Sequence, residues 1–530
     1  MDYPLTQKEI VMPRSKIRRS AKGRKPFLLQ KPNGVLTNRV QAVGPEHFGI
    51  LAIDCAKARS RYLFADFYGR VLLEPTTLSH DRNNFQAAIE RVRQAMAQLD
   101  VRDCVVAIEM TGDYHRPVQR AFRNADFDTR LVHPFTSKQY RQPADPGNKT
   151  DDTDLGGIFR AATHGFGLIE PTWPDDYRTI QLLRRHRRDL VDKRAQLFCQ
   201  IKEALHAVMP GYADCFCHLF EAPPPLVFAR HTMSADAVKR IGVAGLQKIA
   251  DDAKLFCRRE TFHKILTWAQ QAPPGADPSP ARKLMLETLD DDRTAKTQQI
   301  TALERDLAHL VVRTPYLLLL AMPGINIVTS ADLAGELGPI ANYANANGIT
   351  GRAGLMPMRY QSDLVDHANG PLSRRGNRRL RAVLMQTADN LIQCNHYFHA
   401  RADFWKRAGN DARWIRVKVA KIFSRLAFAL VAGGQLFPHE CCQQRHEILG
   451  KLLAFHLEHR TPAPQLHADL DAAVAQMPRR ARRQLAAPLQ EELDKLANRR
   501  GPQPLADILP LVLARLLGRV VQSEPEDADS

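Results

Sequence analysis

Hydrophobic and polar positions between residues 48 and 168 form short apolar runs that alternate with amphipathic segments. The runs at 61–67 and 70–74 flank Tyr68-Gly69, as in a hairpin. The pattern predicts the order βββαβαβα, with strands at 49–54, 61–67, 70–74, 104–108 and 130–133 and helices at 84–99, 114–124 and from 151 onward. A polar loop is expected from 134 to 149. This order is typical of a mixed α/β domain.

Beyond residue 168 the apolar positions recur at helical spacing. Residues 177–209 and 281–312 each predict a long helix, and the first is crowded with Arg and Lys. The two helices can pair antiparallel as a coiled-coil hairpin, within one chain or between protomers. The region between them stays unassigned. Thr314-Pro315 should end the second helix, because proline cannot continue it, and 316–432 predicts a mostly helical domain.

These patterns divide the chain into five predicted regions. The segment 1–47 mixes basic clusters with Pro and Gly, which is typical of a flexible cationic arm. The other four are a mixed α/β domain at 48–168, a helical linker at 169–313, a helical domain at 314–432 and a helical extension at 433–530.

The charge points to a polyanionic partner. Among 530 residues, 75 are Lys or Arg and 57 are Asp or Glu, a formal net charge of +18. Hydrophobic residues make up 44% of the chain, enough to bury several cores, which excludes a wholly disordered protein. The most apolar stretch, 505–521, contains Asp507, Pro510, Arg515 and Arg519, so no membrane span is expected. Without a secretory signal at the start, we expect a cytoplasmic protein.

The nine cysteines include no CxxC pair, and reduced thiols are therefore expected. Two groups can seed a zinc site, although neither has zinc-finger spacing: Cys215, Cys217 and His218, and Cys441, Cys442 and His446.

Four carboxylates occupy strand ends or a helix start: Asp54, Glu109, Asp151 and Asp154. The spacing of Asp151 and Asp154 places both on one face of a helix. Magnesium favours oxygen ligands, and phosphodiester cleavage commonly uses two such ions about 4 Å apart. The set therefore predicts a metal site with two Mg²⁺ ions. The structural alternative is that Asp favours helix N-termini for capping alone.

The segments AIDCAK, AIEMTGDYHRPV and NKTDDTD resemble the DEDD motifs of the RuvC-like insertion-sequence transposases related to the pilin invertase, the bridge-RNA-guided serine recombinases. The resemblance covers a RuvC-like domain at about 48–165, a helical hairpin at 178–313 and a C-terminal transposase domain at 316–430. It implies an RNase H/RuvC-like mixed sheet, a long helical hairpin and a mostly helical domain with a helix-hairpin-helix. By this resemblance the four acids are the metal ligands, and Lys149 completes the Lys-x-Asp-x-x-Asp pattern. Leu155 stands where the family commonly has a small residue.

Met322-Pro323-Gly324-Ile325 predicts the turn of the helix-hairpin-helix, because a tight Gly turn lets backbone N–H groups approach a phosphate. Asn326 replaces the second Gly of the family, and we expect it to tolerate the left-handed backbone of such a turn. A purely structural helical corner is the alternative.

The stretch 354–362, GLMPMRYQS, resembles the Gly-Leu-x-Pro stretch of the family, and Ser362 is by that match the nucleophile that attaches to DNA. A serine hydroxyl needs a base or a metal to become nucleophilic, so Ser362 must approach the acids, through assembly of protomers. Asp363 and Asp366 depart from the small residues that follow this serine in many relatives. Further on, a cluster of arginines predicts a phosphate-binding patch, with a solvated basic face as the alternative: Arg374, Arg375, Arg378, Arg379 and Arg381.

The sequence thus favours a DNA transposase, or recombinase, that uses Mg²⁺ and a serine. The resemblance implies a guide non-coding RNA, action on donor and target DNA at the nucleoid, and a dimer or tetramer. Two other functions stay open. One is a metal-dependent junction nuclease that uses water, and the other is a nucleic-acid-binding protein without catalysis.

Overall fold

The structure is a computed structural model that describes residues 34–144, 147, 149–170, 173–358, 360–362, 365–367, 370–373, 376–437 and 444–478. The chain divides into two compact units, residues 1–172 and 173–530. Residues 1–33 of the expected arm and 479–530 of the expected extension lie outside the described residues.

The first unit is built on a five-stranded mixed sheet in the order β3-β2-β1-β4-β5. Strands β1, β2 and β3 are antiparallel neighbours, whereas β1, β4 and β5 run parallel. The mixed α/β prediction is confirmed, and the predicted strands and helices follow one another along the chain as expected, whereas the sequence predicted no order of the strands within the sheet. The elements of this unit are α1 Gly34–Val43, β1 Phe48–Cys55, β2 Arg59–Asp66, β3 Val71–Ser79, α2 Arg82–Gln98, β4 Asp103–Glu109, α3 His115–Asn124, β5 Thr129–Val132, α4 Pro134–Arg141 and α5 Asp151–Thr163.

Both faces of the sheet are buried, which explains why β1 is a continuous apolar run. On one face Leu51 and Ile53 pack in the apolar cluster of α2 and α3. On the other, Ile50 and Ala52 pack with residues of α1 and α5.

Two helices replace regions that the sequence predicted to be irregular. Helix α1 lies within the expected flexible arm, yet Leu36 and Val40 are buried against the sheet. Arg39 forms ion pairs with Asp103 and Asp128, so its charge is neutralised by residues distant in the sequence. Helix α4 occupies the first half of the expected polar loop. Pro134 begins it, and the His133 side chain accepts a hydrogen bond from the Phe135 N–H.

The second unit contains two long helices, α6 Asp175–Val208 and α10 Pro280–Val311, which pair antiparallel within the chain. Towards one end of the pair, Arg187 Nε donates to Glu304 Oε1 at 2.6 Å. Towards the other end, Leu205 and Leu286 lie in the same apolar cluster. The region left unassigned between them contains three helices, α7 Pro224–Thr232, α8 Ala235–Asp252 and α9 Arg259–Gln271.

The rest of this unit is helical around a larger core. A 3₁₀ helix, Pro315–Ala321, precedes α11 Ile327–Leu337, α12 Ala346–Arg352, β6 Tyr360–Ser362, β7 Val365–His367, α13 Arg378–Cys394, α14 His396–Arg407, α15 Ala412–Gly433, α16 Gln444–Glu458 and α17 Ala463–Gln476. Leu452 of α16 and Leu470 of α17 are fully buried in the same core as α11 and α13. The described part of the expected extension is therefore packed into this unit. Within the described residues, the helices are all too short or too polar to cross a membrane.

Candidate functional site

Asp54 and Glu109 lie at the carboxyl ends of two neighbouring parallel strands. The register pairs Ile53 of β1 with Ile108 of β4, so the two following acids lie side by side. A hydrogen bond joins the two carboxyl groups. The sheet register alone therefore brings together two acids that are distant in the sequence.

Helix α5 adds the other two acids from its first turn. The Thr150 side chain accepts a hydrogen bond from the Thr153 N–H, and Thr153 Oγ1 accepts one from the Thr150 N–H, which fixes where the helix begins. This places Asp151 and Asp154 within electrostatic range of Asp54. Leu155 is fully buried beneath them, so the departure from a small residue fills the core.

The electrostatics of the four acids are unfavourable when all are ionised. Burial, followed by the negative charges of Glu109 and Asp154, raises the pKa of Asp54 from 3.8 to about 7. Asp152 forms a separate ion pair, in which its carboxylate is 2.8 Å from Arg61 of β2. The site therefore concentrates negative charge, and Asp54 holds its proton more tightly than an ordinary carboxyl group does.

Two residues of α4 hold these acids, and the sequence did not single them out. The Ser137 hydroxyl donates to Glu109 Oε1 at 2.8 Å, and Arg141 forms an ion pair with Asp154. Pro134 after a predicted strand was a signal for the helix. Which acid each side chain meets follows only from the packing of α4 against α5.

Four converging carboxylates suit a divalent cation, which favours oxygen ligands and relieves the repulsion that raises the pKa of Asp54. Their present arrangement is nevertheless that of hydrogen-bonded and ion-paired acids. Across the described residues, no three His, Cys, Asp or Glu side chains are arranged to hold a metal ion. The donor chemistry fits, and the four side chains would have to rearrange to hold an ion. Cys215, Cys217 and His218 form no such group either, and Cys441, Cys442 and the side chain of His446 lie outside the described part.

The predicted turn at Gly324 lies in the second unit. Gly324 adopts a φ of +89°, and a Cβ added there would be 3.0 Å from the Asn390 carbonyl oxygen of α13. The segment before the turn is a 3₁₀ helix. Asn326 has an extended φ of −111° and caps α11 by accepting from the Thr329 N–H, so the expected left-handed conformation is wrong. The Pro323 carbonyl accepts from Asn395 at 3.2 Å.

Ser362 is the last residue of β6, where its backbone pairs with Val365 of β7. It thus ends one strand of a two-stranded antiparallel sheet. Arg378 and Arg379 are exposed at the start of α13, and Lys149 is exposed before α5. Arg381 differs, because its guanidinium donates to the carbonyls of Ala353 and Ser373. Arg374 and Arg375 lie outside the described residues.

Two regions of the chain match models of known families. Residues 51–210 match a family described as Transposase, and residues 316–403 match the Transposase IS116/IS110/IS902 family. The chain is 28% identical to the transposase for insertion sequence element IS1328 of Yersinia enterocolitica, over 26% of this chain and 43% of that protein. It is 24% identical to the insertion element IS116 uncharacterized 44.8 kDa protein of Streptomyces clavuligerus, over 41% of this chain and 55% of that protein. The chain spans about half the length of these curated relatives. Both matched regions are thus similar to transposase domains of insertion sequences.

Proposed function

We propose that the protein is the transposase of an insertion sequence and that it cuts and rejoins DNA. The convergence of Asp54, Glu109, Asp151 and Asp154 at one sheet edge carries the proposal. Its support is that the same chain matches transposase families in two separate regions and has a net charge of +18. A net positive charge favours binding to the phosphate backbone of DNA, whatever the DNA sequence.

The four acids would hold divalent cations, and Mg²⁺ is the ion that such oxygen ligands favour. Bound cations would stabilise the negative charge that develops on phosphate oxygens during cleavage. Ser137 fixes the orientation of Glu109 and Arg141 fixes that of Asp154, so the acids stay together without an ion. The proton that Asp54 holds would leave to solvent when its carboxylate becomes a ligand.

Ser362 would act as the nucleophile. Its Oγ would form a bond to a DNA phosphorus as the bond from that phosphorus to one deoxyribose oxygen breaks. The hydroxyl proton would pass to solvent, and the released oxygen would take up a proton. The resulting phosphodiester retains the energy needed for rejoining.

Phosphate contacts would come from Lys149, from the turn at Pro323 and Gly324, and from the arginines Arg374, Arg375, Arg378 and Arg379. Arg381 would support the preceding loop through its carbonyl contacts. The resemblance to the bridge-RNA-guided recombinases supports a guide RNA that pairs with donor and target DNA, and a dimer or tetramer in which one protomer brings Ser362 to the acids.

Comparing Ser362→Ala with Asp54→Asn tests the proposal on DNA that carries the ends of the element. The unmodified protein should form a covalent protein–DNA adduct in Mg²⁺, and both variants should lose it while still binding DNA. Thr288→Ala is the matched control, because it removes an exposed hydroxyl that bonds only its own helix at Leu284. It should react like the unmodified protein.

The outcomes separate the alternatives. Strand cleavage that persists without an adduct in Ser362→Ala would mean a nuclease that uses water. Binding without cleavage by the unmodified protein, with any guide RNA and metal supplied, would mean a binding protein. Loss of the adduct in Thr288→Ala as well would show a folding defect rather than lost chemistry.

A further inference from the structure

Lys451 of α16 contacts the carbonyl side of the Gly324 turn. Its Nζ lies 2.8 Å from the Leu320 oxygen, 2.8 Å from the Met322 oxygen and 3.0 Å from the Ile325 oxygen. An ammonium group has three N–H donors, and these three carbonyls accept one each. Glu447, one helical turn earlier, places its carboxylate 3.5 Å from the same nitrogen.

These oxygens form a set of the kind that binds a cation. A carbonyl oxygen has two lone pairs, and the end of a 3₁₀ helix and the tight turn after it leave part of this acceptor capacity unused. Of the three oxygens, that of Met322 also accepts from the Ile325 N–H at 3.2 Å. In potassium channels, rings of backbone carbonyl oxygens replace the hydration shell of a monovalent ion. We propose that the carbonyl side of the Gly324 turn is a monovalent-cation site, and that the tethered ammonium of Lys451 is the cation that fills it.

The ammonium comes from outside the region that matches a transposase family, since that match ends at residue 403. The turn also takes a bond from Asn395, whose amide donates to the Pro323 carbonyl. Four carbonyls in and next to the turn are thus bonded by two side chains from later in the chain, those of Asn395 and Lys451. Lys451 is therefore a positioning residue. Through it, α16 fixes the backbone of the Gly324 turn, and this role does not depend on which ligand the turn binds.

Chemical rescue tests the site in the full chain. Lys451→Ala opens the position of the ammonium, whereas Lys451→Met keeps it filled with an uncharged chain of similar length. In tetramethylammonium chloride, an ion too large for the site, both variants should melt about 3 °C or more below the unmodified protein. Potassium or ammonium chloride at equal ionic strength should restore at least half of that loss in Lys451→Ala and little in Lys451→Met. The unmodified protein should respond equally to the three salts.

The site is refuted if Lys451→Ala gains no more than Lys451→Met from potassium and ammonium, or if it melts like the unmodified protein. Should Lys451→Ala be unfolded in tetramethylammonium, potassium must restore its far-ultraviolet helical signal, and failure to do so also refutes the site. Adding Glu447→Gln to Lys451→Ala should weaken the rescue, because the neighbouring carboxylate balances the ion's charge. These readouts measure stability, so a failed transposase assay leaves the inference standing.

Discussion

Replacing Asp54 with Asn should stabilise the first unit, although it removes a side chain of the candidate active site. Asp54 carries a pKa raised from 3.8 to about 7 by burial and by Glu109, Asp154 and Asp151. A folded state that raises the pKa of an acid is destabilised once that acid ionises. The penalty is absent below pH 4, grows as the pH rises above the ordinary pKa, and is complete above pH 7.

The shift from 3.8 to about 7 is roughly three units, an upper limit of about 4 kcal/mol at 1.36 kcal/mol per unit. Asp54 is only half-buried, so screening by solvent reduces this to about 1–2 kcal/mol. The Asn amide can donate to Glu109, which replaces the present hydrogen bond between the carboxyl groups. We therefore expect Asp54→Asn to raise the free energy of unfolding by about 1–2 kcal/mol at pH 8 and hardly at all at pH 4.

Hydrogen exchange of the β1 and β4 amides, measured by mass spectrometry at matched pH, reports the stability of this unit in the full chain. Asp152→Asn is the control, because its carboxylate is exposed and pairs with Arg61. It should change stability by less than about 1 kcal/mol. Mg²⁺ should slow the exchange of these amides more in the unmodified protein than in Asp54→Asn. NaCl at equal ionic strength should produce no such difference. An Asp54→Asn variant that is less stable than the unmodified protein at pH 8, or equally stable at every pH, would refute this account of the four acids.

Two substitutions test the packing. Gly324→Ala should cost about 1 kcal/mol more in unfolding free energy than Gly409→Ala, measured in urea, because both glycines have positive φ but only Gly324 approaches a carbonyl, at 3.0 Å. Equal losses of unfolding free energy in the two variants would contradict a cost from the contact with the Asn390 carbonyl oxygen. Arg39→Met should lower the stability of the first unit by about 1–3 kcal/mol, because Asp103 and Asp128 lose a half-buried partner. Arg102→Met, which removes an exposed arginine paired with Asp100, should cost less than about 1 kcal/mol, and a loss as large as that of Arg39→Met would contradict the prediction.

The sequence alone determined the succession of strands and helices along the first unit and the positions of the four acids within it. Apolar runs that end in Asp54 and Glu109, and the capping residues around Asp151, are local signals of strand end and helix start. The sheet itself supplies the pairing of β1 with β4 as parallel neighbours, which places Asp54 and Glu109 at one edge. The roles predicted for residues outside the described part stay predictions, and so does the role of Ser362 as the nucleophile.

Only the tertiary structure decided which side chains support the acids and the turn. Ser137 and Arg141 meet Glu109 and Asp154 because α4 packs on α5, and Lys451 reaches the Gly324 turn across more than a hundred residues of chain. In the sequence, Arg39 is one positive charge of a basic arm. Only the structure shows that it pairs with Asp103 and Asp128. Periodicity reports which face of an element is buried, because burial repeats with the geometry of that element. The partner of a polar side chain depends on which elements pack together, and no local pattern encodes that.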